Sequence, residues 1–142
     1  MPAGADAPDL LVDTSVAVAI VVADHEHRAD TVRALGALTL GLAGHAAFET
    51  FSVLTRLPPP SRRTPDAIWR LLAANFPASR FLGQEAAAEL LERLHLLEIA
   101  GGAVYDALVG QTAREHGVTL ATRDRRAMET YRALEVNVEL LP

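Results

Sequence analysis

The chain has 142 residues, half of them hydrophobic and 22% charged, the composition expected of a single soluble globular domain with a real core. It contains no cysteine, which excludes disulfides, thiolate metal sites and a cysteine nucleophile and fits a reducing cytoplasm. Its net charge is −5, an awkward total for a nucleic-acid binder, and all 13 basic residues are arginine.

Residues 1–8 read as a flexible leader ahead of one domain spanning 9–142. The leader has no basic residue before an apolar segment, so no signal peptide is expected. Asp9-Leu-Leu-Val-Asp13 predicts a buried strand, and Asp13-Thr14-Ser15 a helix start. The apolar run Val16 to Ala23 is too short for a bilayer and is read as part of a buried helix, Ser15 to Ala23. His25 to Leu38 has helical spacing at Ala29, Val32 and Leu35. Leu38 to Ala43 predicts a second strand, and His45 to Leu57 a helix stopped by Pro58-Pro59-Pro60. A loop then runs to Thr64, the cap of a helix over Asp66 to Asn75. Ser79 to Leu82 predicts a third strand, Gln84 to Ile99 a helix broken at Gly101-Gly102, and Ala103 to His116 another helix. Strand Val118 to Thr122, helix Arg125 to Leu134 and strand Val136 to Leu141 complete the order. Alternating strands and helices imply a three-layer α/β/α domain with a central parallel sheet of about four to five strands.

In open α/β sheets, ligands bind beyond the carboxyl ends of the strands. Asp13 ends the first strand, and Asp124 follows the Val118 to Thr122 strand. Asp106 lies near the start of the Ala103 helix, and Glu49 sits among apolar residues between Phe48 and Phe51. Each has a bland explanation. Asp13 and Asp124 suit helix caps, Asp106 suits a helix N-terminus, and Glu49 has Arg56 two turns later as a salt-bridge partner. As a convergent cluster they would repel one another. A hard cation such as Mg²⁺ or Mn²⁺ resolves that conflict, and with it comes phosphodiester or phosphatase chemistry.

These residues carry a resemblance. Leu11-Val12-Asp13-Thr14-Ser15, Glu49, Tyr105-Asp106-Ala107-Leu108 and Thr122-Arg123-Asp124 resemble the successive motifs of PIN-domain nucleases. The stretch from Glu49 to Pro58 is similar to the third helix of bacterial VapC toxins, the nuclease half of type II toxin–antitoxin (VapBC) pairs. By resemblance, Asp13, Glu49, Asp106 and Asp124 hold the metal and carry catalysis. Thr14 or Ser15, with Thr122, orient carboxylates or waters. The resemblance also implies a homodimer, RNA as substrate, and a VapB-like antitoxin blocking the active-site groove. On that reading, metal-activated water cuts RNA to leave a 5′-phosphate and a 3′-hydroxyl.

Arginines cluster at Arg56, Arg62 and Arg63 and again at Arg123, Arg125 and Arg126; Arg56, Arg62, Arg63 and Arg123 are the expected RNA contacts. A solvated surface is the plain alternative. His25-Glu26-His27 invites a zinc reading, yet histidines two apart on a helix diverge and lack a third ligand. His45, His95 and His116 are scattered, and Trp69 suits a core or a dimer surface. Receiver domains and haloacid-dehalogenase-like phosphatases also place acids at strand ends, but both need a lysine, which this chain lacks. A PIN-like module that only binds a partner through its acidic groove is the other alternative.

Overall fold

The computed structural model describes residues 7–142, so most of the expected leader lies outside the described residues. Four strands, β1 (Leu10–Val12), β2 (Leu40–Leu42), β3 (Leu120–Thr122) and β4 (Val138–Leu140), form an all-parallel sheet in the order β2-β1-β3-β4. β1 is central, pairing Val12 with Leu42 on one side and Ala121 on the other. Its Leu-Leu-Val sequence is buried throughout, as a parallel strand covered on both faces requires.

Side-chain alternation divides the core. Leu10, Val12 and Ala121 face a layer that includes α1 (Thr14–Val21), α2 (Arg28–Leu35), part of α3 (His45–Thr55) and α4 (Pro65–Asn75). Leu11 and Leu120 face the other layer, with α5 (Gln84–Leu96), α6 (Ala103–His116) and α7 (Met128–Ala133). The three-layer α/β/α expectation therefore holds. The sheet order reverses at β1, so the crevice beyond β1 and β3 is the switch point where such folds place ligands.

Three local expectations need correction. The strand expected at Ser79 to Leu82 is reduced to a single parallel bridge between Ala43 and Arg80. A Cβ at Gly41 would lie 2.1 Å from the Ala78 carbonyl oxygen, so this segment crowds β2, and the Ser79 hydroxyl replaces a ladder carbonyl by accepting from Leu42 N. The helix expected from His25 begins only at Arg28; His25 to His27 form turns, with His25 Nδ1 accepting from His27 N. The helix expected from Arg125 starts as a 3₁₀ turn, Arg125–Ala127, because Asp124 caps Arg126 N at 2.9 Å, before α7 continues.

Candidate active site

Asp13 leaves the end of β1 and caps α1, so its position is set by the sheet and its orientation by the helix. Only 5% of it is exposed. Oδ1 accepts from Ser15 Oγ at 2.5 Å and Val16 N at 3.3 Å; Oδ2 accepts from Thr122 Oγ1 and from Tyr131 OH at 2.9 Å. Burial raises the Asp13 carboxyl above its ordinary value, while these four bonds favour the charged form and pull back. Ser15 Oγ also accepts from Arg123 N at 2.9 Å, and Thr122 Oγ1 from Asp124 N at 3.0 Å. The two hydroxyls thus tie Asp13 to the chain that leads from β3 to Asp124. Thr14 lines the same cleft, but of the pair it is Ser15 that bonds Asp13.

Asp13, Glu49, Asp106 and Asp124 line one polar cleft of about 50 Å³, with Thr14, Ser15, Tyr105, Val109 and Tyr131. Asp106 stands in the first turn of α6. Burial pushes its carboxyl up to about 6, helped by the charges of Asp124, Asp13 and Glu49 and opposed by Arg126. Asp124 is half-buried and accepts from the Arg126 backbone, with the Arg126 guanidinium 3.7 Å away. Glu49 corrects the expectation of a buried acid. It is exposed on α3, and Arg56 reaches Ser52 at 3.5 Å instead of pairing with it.

The donors are oxygens only, and their charges already raise Asp106, which is the chemistry a hard divalent cation relieves. Among the described residues, however, no three of His, Cys, Asp or Glu close into a ready-made ligand cage. Mg²⁺ takes oxygen ligands and keeps several waters, so it does not require a complete protein shell. The donor set therefore fits the group.

The structure does not bring the expected arginine contacts into this cleft. Arg123 sends its guanidinium to Thr31 Oγ1 at 3.3 Å, on α2. Arg62 closes its own loop on the Leu57 carbonyl at 2.8 Å, and Arg56 and Arg63 are exposed. Arg126 is the arginine that acts on the acids. Sequence reasoning missed Tyr131, which is fully buried and donates to Asp13 across 118 residues. A larger cavity of about 670 Å³ lies between α3 and α4 and is apolar, with Phe48, Trp69 and Phe81 in its walls. Trp69 is 65% exposed there, so it is not a core residue.

Comparison with known proteins decides the family: the PIN domain model matches residues 10–133. The chain belongs to the PIN-domain family. This PIN domain is similar to Ribonuclease VapC27 of Mycobacterium tuberculosis H37Rv, with 46% identity over 131 residues, 92% of this chain and 96% of that protein. It is 48% identical to Ribonuclease VapC40 of the same species over 131 residues, covering 91% of this chain and 96% of that one. Its affinity is thus with the VapC type. Among solved structures, FitAB bound to an IR36 DNA fragment superposes with a TM-score of 0.64 at 20% identity, covering 92% of this chain and 94% of that one. FitAcB from Neisseria gonorrhoeae gives 0.62 at 18% identity, covering 91% and 95%. At these identities both support the fold alone. Among the described residues, no helix of the PIN domain is long and apolar enough to cross a membrane.

Proposed function

We propose that this PIN domain is an endoribonuclease and the toxin half of a toxin–antitoxin pair, using Mg²⁺, or Mn²⁺ in its place, held by Asp13, Glu49, Asp106 and Asp124. The observation that carries the reading is the convergence of these four acids, from β1, α3, α6 and the β3 exit, on one cleft at the sheet's switch point. The kinship with proteins named VapC ribonucleases supports RNA as the substrate class, and a VapB-like antitoxin and a homodimer belong to the same reading.

A divalent cation in the cleft supplies an activated water and charge stabilisation for phosphodiester hydrolysis. The chain's own contribution is arrangement. Ser15, Thr122 and Tyr131 hold Asp13 in one orientation and favour its charged form against the burial that raises it, and the Thr122 hydroxyl also fixes the backbone that presents Asp124. Asp106 must lose its proton to serve as a ligand, and its raised value makes that loss depend on pH near 6.

Purified protein, free of antitoxin, is expected to cut a total cellular RNA pool into discrete fragments with Mg²⁺ or Mn²⁺, leaving 5′-phosphate and 3′-hydroxyl ends. EDTA, Asp13→Asn or Asp106→Asn should each abolish the fragments in protein shown to be folded. A 2′,3′-cyclic phosphate end would contradict the hydrolytic mechanism. Intact RNA under every condition would overturn the nuclease and favour a binding-only domain.

A further inference from the structure

Two aromatic rings stand at the rim of the acidic cleft, and the chemistry above uses neither. His45 is the first residue of α3, four residues before Glu49 and on the same helical face; Tyr105 is in the first turn of α6, directly before Asp106. The rings are stacked, with centroids 4.8 Å apart and planes inclined by 23°. Tyr105 lines the cleft, yet 52% of it is exposed, and its phenol makes no hydrogen bond among the described residues. A tyrosine kept for packing would bury its ring, and one kept for its hydroxyl would have a partner. Tyr105 does neither: it holds an open aromatic surface beside the acids, backed by a second ring.

We propose that Tyr105, braced by His45, is a stacking platform for one nucleobase of the RNA next to the phosphodiester presented to the acids; this rests on the ribonuclease reading above. Every base has a π face, so the platform binds without requiring a particular base, and stacking of this kind strengthens binding by about 10-fold to 100-fold per base. A base inside a duplex has both faces covered by its neighbours, so the platform favours single-stranded or looped segments whose bases can turn out. His45 and Tyr105 start the two helices that also carry Glu49 and Asp106, so a stacked base sets the register of the backbone against those acids. His45 is here a positioning residue, acting through the Tyr105 ring.

The test pairs Tyr105→Phe, which keeps the ring, with Tyr105→Leu, which keeps bulk but not aromaticity. The Phe variant should hold KM much closer to the parent's than the Leu variant does. The Leu variant should show a KM raised about 10-fold to 100-fold with kcat changed less, at an unchanged melting temperature. In an Asp106→Asn background, a short single-stranded RNA carrying 2-aminopurine should be quenched on binding with Tyr105 or Phe, not with Leu, and a duplex of the same sequence should not compete. Equal KM and equal quenching in the Leu variant would overturn the platform while leaving the nuclease intact. Absence of RNA cleavage by the parent, with Tyr105-dependent quenching still present, would overturn the nuclease and leave the platform. Loss of both would remove both.

Discussion

The Asp13 carboxylate accepts from four donors, two in α1, one in β3 and one in α7, so each of its two oxygens is oriented by two of them. Tyr131→Phe removes one of these bonds and keeps the ring. A buried hydrogen bond to a charged group contributes about 1.5–3 kcal/mol, so the variant should unfold at lower urea. The bond favours the ionised carboxylate, so the loss should grow as pH rises through the raised titration of Asp13 and shrink at pH below it, where the carboxyl is protonated. A pH-independent loss, or none, would show that Tyr131 only packs. The helix-cap and active-site readings of Asp13 and Asp124 prove compatible, since each caps the following helical turn and also lines the cleft. Capping is a contact over two or three residues and was legible in the sequence. The Tyr131 contact spans 118 residues and had no local signal. Glu49 misled in the opposite direction: its apolar neighbour Phe48 is 66% exposed in the wall of a cavity, so an apolar flank did not mean burial.

The element that delivers Glu49 depends on one glycine. Gly44 joins β2 to α3 at φ 53° and ψ −115°, a conformation open essentially to glycine alone, and a Cβ there would lie 2.5 Å from Thr112 Oγ1. Gly44→Ala should therefore cost about 2–3 kcal/mol, combining backbone strain with displacement of α3 from α6, and cleavage should fall even well below the melting temperature. Gly101→Ala is the control, because Gly101 has φ 59° but open space around its Cβ position. It should cost about 1 kcal/mol and spare activity. Equal effects of the two, by urea denaturation and RNA cleavage, would show that the α3–α6 contact does not position the site. Helices and paired strands were legible because their apolar periodicity reports burial. The reduction of the expected Ser79 to Leu82 strand to a bridge was not legible, because the close approach at Gly41 and the Ser79 side chain's capture of a ladder N–H arise from tertiary crowding.

At the scale of the whole molecule, four of the 18 acids of this net −5 chain converge where β1 and β3 end, with Arg126 the basic group beside them. The folded protein holds Asp106 at about 6 against an ordinary 3.8, so it binds more protons than the unfolded chain between those values. This group's contribution therefore makes stability fall as pH rises from about 4 to about 6, and leaves a constant penalty above that range. Asp106 is partly solvated, which reduces the penalty to about 1 kcal/mol, or about 4 °C in melting temperature for a domain of this size. In EDTA near neutral pH, Asp106→Asn should melt higher than the parent by that amount. Excess Mg²⁺ should reverse the order. A ligand at 100 times its Kd stabilises the fold by about 2.7 kcal/mol, and the variant should lose most of that increment because it lacks the ligand charge. The same proton competes with the cation, so the acid limb of the cleavage profile should lie near pH 6 at low Mg²⁺ and move to lower pH as Mg²⁺ is raised. A melting temperature that ignores Mg²⁺ in the parent, or an acid limb that stays fixed as Mg²⁺ rises, would separate these carboxylates from cation binding.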